Sequence, residues 1–487
     1  QPAQSSYSVE EKTIAELSAD MAASVISSHD LVGIYMQWIA ALDRSGPTLR
    51  SIIAINPKAL ADAQTLDAER SRGVLRGPLH GIPILVKDNI ESADPLPTTA
   101  GSLALLDNYT YRDSPAVEKL RAAGAIILGK TNLSEWANFR SSLSGSGWSA
   151  VGGLTRNPYA LDRSASGSSS GSGAAISANL AVAALGTETD GSLTLPAAGC
   201  GLVGVKPTVG LVSRRHIVPL SHSQDTAGPM SRSVADAACM LTIMAGTDPE
   251  DSATLEANSH KTDYLAQLDP NSLRGARVGV ARFMSKAWDA PLRGEFEAAL
   301  EAMRRAGAEL VEVEDDPPLE SILQLELKVL ESEMKAGLRC YLAESSPNVK
   351  VRTLSDVIAF NESEADRELL YFGQDIFVSA EAADDLDTAS YRQARETSQR
   401  LAGPEVIDRL LKLHGLDTLV APTGNPAFVI DLVNGDHIAG ASSTLPAVAG
   451  YPHVTVPMGE VFGLPVGLSF IGSAWSEPRL LSLAYSF

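Results

Sequence analysis

Three residues stand where chemistry could be done: Ser168, Ser192 and Lys87. Ser168 lies in Gly167-Ser168-Ser169-Ser170-Gly171. Ser192 closes Gly186-Thr187-Glu188-Thr189-Asp190-Gly191-Ser192, 24 positions further on. Between these small-residue turns, residues 171–184 are rich in Ala and Leu and free of proline, which predicts a buried helix or a helix plus a short strand. Each turn therefore sits at an end of a rigid element, where backbone N–H groups lack partners and small side chains allow close approach. Only a return of the chain can bring the two serines together. Gly/Ser runs are otherwise flexible linkers, but these flank a compact apolar segment instead of joining two domains.

A serine attacks only when something removes its proton, and two arrangements are open. Gly167-Ser168-Ser169-Ser170-Gly171 matches the G-x-S-x-G elbow that works with a histidine, but that elbow needs a strand directly before it. What precedes it is the turn-rich Asn157-Pro158-Tyr159-Ala160-Leu161-Asp162-Arg163-Ser164, and His216, His222 and His453 carry no distinctive context. In the other arrangement Ser192 attacks, the turn 189–192 turns successive N–H groups toward a developing oxyanion, and Ser168 relays a proton to Lys87. Lys87 ends the apolar run Ile84-Leu85-Val86, where a lysine is either a solvated charge or a desolvated base. To act as a base near neutrality its pKa must fall from ~10.4 toward 7–8, at roughly 3–5 kcal/mol of lost charged-state stabilisation.

The elements that must position these groups follow from periodicity. Helical spacing runs through residues 9–44 and 59–72, and strands are predicted at 52–55, 84–89 and 125–128, with a helix at 117–123. Residues 204–208 and 225–230, punctuated by Gly and Pro, read as turns. An Ala-rich helix is expected at 233–245, with Asp236 near its positive end, followed by a polar, loop-rich stretch at 246–270. Strand, helix and strand follow at 278–281, 291–305 and 309–313. Charged helices at 319–411 read as an excursion over one side of the sheet, a place for substrate selection. Strands at 416–421, 454–457 and 466–470 return to the sheet. The alternation says α/β, and no internal repeat is present.

Two motif matches compete with this reading. Gly124-Ala125-Ile126-Ile127-Leu128-Gly129-Lys130-Thr131 fits the phosphate-loop pattern, which would make the chain a nucleotide-binding protein. A working phosphate loop is polar and follows its strand, whereas the interior of this one is itself the strand. Ser332-Glu333-Met334-Lys335 fits S-x-x-K, but on a charged helix without supporting motifs.

Composition sets the outer bounds. A net charge of −20 argues against nonspecific nucleic-acid binding, and 44% hydrophobic residues supply a sizeable core. No apolar run reaches the ~20 residues of a membrane span. Three scattered cysteines and eight histidines without ligand spacing support neither a disulfide framework nor a metal site. The start at Gln1 suggests a removed leader, which leaves the compartment open, and the stop at Phe487 inside an apparent helix suggests that the natural chain continues.

Taken together, the motifs resemble the amidase signature family, serine hydrolases with a Ser-Ser-Lys triad. The resemblance runs through Gly77-Pro78-Leu79-His80-Gly81-Ile82-Pro83, Lys87-Asp88, Gly129-Lys130-Thr131-Asn132-Leu133-Ser134-Glu135 and Lys206-Pro207-Thr208. It resumes at Ala421-Pro422-Thr423 and Gly463-Leu464-Pro465-Val466-Gly467 and covers most of the chain. It implies Ser192 as nucleophile, Lys87 as base, and Ser168 as the bridging serine after a cis peptide from Gly167. Thr189, Asp190, Gly191 and Ser192 would supply the oxyanion N–H groups. It also implies one α/β/α domain around a large mixed sheet over residues 1–487, with a helical layer at 9–72, a catalytic core at 77–245 and the excursion at 319–411. No cofactor, no metal and no obligatory protein partner are expected.

Two stretches depart from the family pattern. Ser166-Gly167-Ser168-Ser169-Ser170-Gly171 and Thr187-Glu188-Thr189-Asp190-Gly191-Ser192 keep the triad positions but change the site walls, and Thr194 stands where arginine is common. With Ser134-Glu135-Trp136-Ala137-Asn138-Phe139 and Ser223-Gln224-Asp225-Thr226-Ala227-Gly228-Pro229, they resemble the branch that removes the C-terminal amide of peptides. They weaken the case for the family's amidotransferase subunit, which would need a partner chain. A broad amidase for small aryl or aliphatic amides and a non-catalytic peptide-binding relative are the alternatives.

Overall fold

The apolar strand segments come together in one mixed sheet, seen in a computed structural model that describes residues 7–284 and 289–487. Its eleven strands are β1 (Ile52–Ile55), β2 (Pro83–Lys87), β3 (Ile126–Thr131), β4 (Ala183–Glu188), β5 (Val203–Lys206), β6 (Thr226–Ser231), β7 (Arg277–Val280), β8 (Glu309–Glu312), β9 (Thr418–Pro422), β10 (His453–Val461) and β11 (Leu464–Ile471). Their spatial order is β1-β3-β2-β4-β6-β5-β10-β11-β9-β7-β8. β2 runs parallel to both β3 and β4, whereas β6 pairs antiparallel with β4 and β5. The fold is α/β with helices flanking the sheet, as the family resemblance implied. The central strands read as continuous apolar runs because both of their faces are covered.

On the N-terminal side, α1 (Ile14–Ala22) starts at a capping box made by Thr13 and Glu16. It buries Ile14, Leu17 and Met21, three positions of the predicted stripe. α2 (Ser28–Trp38) and α3 (Ala59–Ser71) pack against each other. Past α4 (Pro115–Ala122) and β3, the short helix α5 (Ser170–Ser177) leads into β4, so the segment between the two serine turns is a helix out and a strand back. α6 (Thr194–Gly199) follows the second turn, and α7 (Val234–Met244) is capped by the Ser233 side chain. α8 (Ala290–Arg305) links β7 to β8. The helical excursion begins with α9 (Leu319–Glu344), which packs on α10 (Ala389–Ala402).

Two predicted turns are strands. Residues 204–208 and 225–230 contain most of β5 and β6, which lie side by side in the middle of the sheet. Their glycines answer to packing and not to turning. A Cβ on Gly204 would stand 2.7 Å from Ala197 Cβ, and one on Gly228 would run into the Val205 carbonyl. The competing motifs also resolve. Residues 126–131 are strand, and Lys130 is fully buried, 3.0 Å from Asp88 Oδ1 and bonded to Thr98 Oγ1. That lysine has its counterion inside the protein. Ser332 and Lys335 lie on α9, where Lys335 Nζ donates to Ala383 O.

Candidate active site

Lys87 stands at the C-terminal end of β2, flanked by β3 and β4, and is fully buried. Of the two roles open to it, the central strand position excludes the solvated one. Its Nζ lies 2.7 Å from Ser168 Oγ and 2.8 Å from Thr187 Oγ1. Burial pulls its pKa down to about 7, against the opposing pull of Asp225 and Glu188. The lysine can therefore be a neutral amine near physiological pH.

The two serine turns meet at their backbones, where Ser169 N–H donates to Ser192 O at 2.9 Å. Gly171 lets α5 press against the chain after β3, because a Cβ there would stand 2.5 Å from Asn132 O and 2.6 Å from Asn132 N and would run into Ser51 O. The Gly167–Ser168 peptide is cis, as the family resemblance implied. Exposure orders the groups by depth. Ser192 lines a cavity of 320 Å³, while Ser168 and Lys87 lie behind it with no exposed surface. Among the described residues the Ser192 hydroxyl forms no hydrogen bond, so the geometry joins Lys87 to Ser168 but leaves Ser168 and Ser192 unjoined.

The turn at 189–192 is shaped by Glu188. Its Oε2 accepts from Leu193 N at 2.9 Å, Thr194 N at 2.8 Å and Thr194 Oγ1 at 3.0 Å. The departure at Thr194 is thus a partner of the departure at Glu188. Gly191 takes φ +76°, which a side chain would strain. Among the described residues, none of the N–H groups of Thr189, Asp190, Gly191 and Ser192 is spent on a protein acceptor. Successive unpaired N–H groups in a tight turn are the donors from which anion-binding turns are built.

Sequence reasoning missed Glu326. It lies on α9, 5% exposed, lines the same cavity as Ser192, and accepts from Gln224 Nε2 at 2.8 Å. Burial, then the facing Asp190 carboxylate, pushes its pKa well above the usual carboxylate range. Burial likewise lifts Asp190, whose Oδ2 accepts from Thr444 Oγ1 at 2.8 Å. Two buried carboxyls that face each other both favour the protonated form, and they titrate as a pair. One signal was available: Glu326 falls on the helical stripe of Leu323, Leu327 and Leu330, where a charge is out of place.

The opposite wall is strained. Trp136, Ala137 and Asn138 occupy the left-handed region in succession, at φ 51°, 56° and 70°, and Ala137 and Asn138 line the cavity. Among the described residues no histidine bonds the elbow serine Ser169, whose Oγ donates to Thr187 O at 3.0 Å. His453 is buried against Ser469 Oγ at 2.6 Å and is held neutral by burial, which lowers its pKa to about 3. Among the described residues there is no group of three His, Cys, Asp or Glu able to hold a metal ion, and no helix long and apolar enough to cross a membrane.

The chain belongs to the amidase family, whose model matches residues 35–481, and it is an amidase. It is similar to the peptide amidase from Stenotrophomonas maltophilia, with 51% identity and a TM-score of 0.93 over 98% of this chain and 96% of that one. A structure of peptide amidase with the competitive inhibitor chymostatin matches at 51% identity and a TM-score of 0.95, over 99% and 97% of the two chains. A probable amidase of Arabidopsis thaliana is 37% identical over 99% of this chain and 90% of its own length. One subunit of the glutamyl-tRNA(Gln) amidotransferase of Synechococcus sp. (strain CC9902) is 35% identical, over 95% of this chain and 93% of its own length.

Proposed function

We propose that this amidase removes the C-terminal amide of peptides with Ser192 as nucleophile, Ser168 as bridge and Lys87 as base. The observation that carries the proposal is the buried Lys87 amine, near neutrality in its pKa and 2.7 Å from Ser168 Oγ, behind a serine that faces the cavity. Neutral Lys87 takes the Ser168 proton while Ser168 takes that of Ser192, and Ser192 Oγ adds to the carboxamide carbon. The oxygen gains negative charge within reach of the free N–H groups of the turn 189–192. The relayed proton goes to the departing nitrogen, the C–N bond breaks and ammonia leaves. Water then hydrolyses the ester on Ser192 and releases the peptide acid.

The substrate class rests on two supports. The cavity is walled by Leu195, Leu220, Leu323, Leu327 and Leu330, which suits the side chains of a peptide better than a bare small amide. The similarity to peptide amidase at 51% identity points the same way. The test is ammonia release from a short peptide carboxamide, beside the same peptide as free acid and a small aryl amide. Ammonia from the carboxamide with internal bonds intact is the expected result. Release from the small amide alone would discard the peptide substrate, and release from neither would discard the triad.

A further inference from the structure

A second cavity, of 360 Å³, adjoins the one that Ser192 faces, and Ala137, Thr189 and Leu220 line both. Its inner wall is formed by the buried residues Asn89, Thr187 and Thr226, and its rim carries the exposed Glu250 and Cys340. The inner wall touches the lysine. Thr187 Oγ1 accepts from Lys87 Nζ at 2.8 Å and from Asn89 Nδ2 at 3.0 Å. Two polar atoms of the same residues, Asn89 Oδ1 and Thr226 Oγ1, are buried without a hydrogen-bond partner among the described residues. Such a group is destabilising unless water completes its bonding. The cavity is far larger than a single water needs.

We infer that this cavity is the inlet through which the hydrolytic water reaches the acyl-enzyme. The inference rests on the hydrolase reading above. A peptide acyl group on Ser192 fills the leucine-lined cavity and shields that side of the ester from solvent. The second cavity stays open to solvent at its rim and ends on the lysine side of the site, where the water's proton must be taken. The step balances without another reactant. Water oxygen bonds to the ester carbon, and its proton passes through Ser168 Oγ to the neutral Lys87 amine. The bond from that carbon to Ser192 Oγ then breaks, the proton returns to Ser192 Oγ, and the peptide acid departs.

Cys340 provides the means to test it. Cys200 and Cys239 are buried, so a thiol reagent addresses the rim. The full chain is treated with N-phenylmaleimide, which blocks the rim, or with methyl methanethiosulfonate, which adds little bulk; Cys340→Ser serves as the unreactive control. Steady-state turnover of a peptide amide is read together with acyl-enzyme trapped by rapid acid quench. With the phenyl label kcat should fall about tenfold or more, kcat/KM should stay within about twofold and acyl-enzyme should accumulate, because only the step after acylation is slowed. The small label should leave kcat nearly unchanged, and Cys340→Trp should reproduce the phenyl effect without a reagent. Unchanged kcat in the phenyl-labelled enzyme overturns the inlet. So does a parallel fall of kcat and kcat/KM without acyl-enzyme, which would make the cavity part of the peptide site, or an equal loss with the small label. An unlabelled enzyme that releases no ammonia overturns the hydrolase reading itself, and the inlet with it.

Discussion

Acidifying the enzyme should protonate Lys87 and stop the relay, with a midpoint set by how far burial has displaced that lysine. At a pKa of about 7, half of the molecules carry the neutral amine at that pH, about a tenth one unit below and about a hundredth two units below. The kcat/KM for a peptide amide between pH 5 and 10 should therefore climb about tenfold per unit up to about pH 7 and then level off. A lysine at its ordinary ~10.4 would have under about a thousandth of its amine neutral at pH 7, and the climb would continue past pH 9. The same displacement appears in stability. Across the window from about 7 to 10.5 the unfolded chain holds a proton on this lysine that the folded chain lacks, so unfolding free energy rises with pH, by on the order of 5 kcal/mol from this group. Below about 7 both states are protonated and the contribution is level. The Asp190 and Glu326 carboxyls also titrate above their usual range, and temperature separates them from the lysine. Ammonium ionisation absorbs heat and carboxyl ionisation hardly does, so a lysine limb moves to lower pH on warming. A flat profile from pH 5 to 9, a climb that does not level by pH 9, or a limb that ignores temperature would refute the reasoning.

Further outcomes follow from individual residues and from the phosphate-loop motif. Ser192→Ala should abolish ammonia release, whereas Ser169→Ala should keep much of it and lose only the bonds its hydroxyl makes with the Thr187 backbone, about 1–2 kcal/mol in urea unfolding. The reverse order of activities would move the nucleophile to the elbow. Lys130→Ala should cost about 3–5 kcal/mol in the same assay by leaving Asp88 buried and uncompensated, and ATP should not raise the melting temperature of the wild-type protein. A rise with ATP would restore the phosphate-loop reading. Glu326→Gln should gain unfolding free energy over wild type between pH 5 and pH 8, because folded wild type retains on Glu326 a proton that the unfolded chain has released. A difference constant over that range would show that Glu326 does not hold the proton.

Much of the architecture was legible because local pattern and tertiary role agreed. The apolar run Ile52–Ile55 predicts a strand and is one, and the stripe of Ile14, Leu17 and Met21 faces the core. The reading failed at β5 and β6, where glycine and proline carry two meanings. Gly204 and Gly228 look like turn residues in sequence, yet they are small because another atom already occupies the place of a Cβ. Glu326 was passed over for a related reason. A carboxylate on a leucine stripe hints at a buried role, but the role is set by the partner across the cavity, and Asp190 lies 136 positions earlier in the chain.

By itself the sequence determined which groups exist and which of them lie at the ends of elements. It supplied two serine turns separated by one apolar segment, a lysine closing an apolar run, and the linked motifs that mark the amidase family. It left open whether Lys87 was solvated or desolvated, and whether Ser168 or Ser169 faced a base. Those questions turn on neighbours that are far apart in the chain. Lys87 becomes a candidate base because β3 and β4 close over it on either side and remove its water, and because the return of β4 sets Thr187 and the second turn beside Ser168. Desolvation belongs to the assembled sheet, so no residue read in isolation could reveal it.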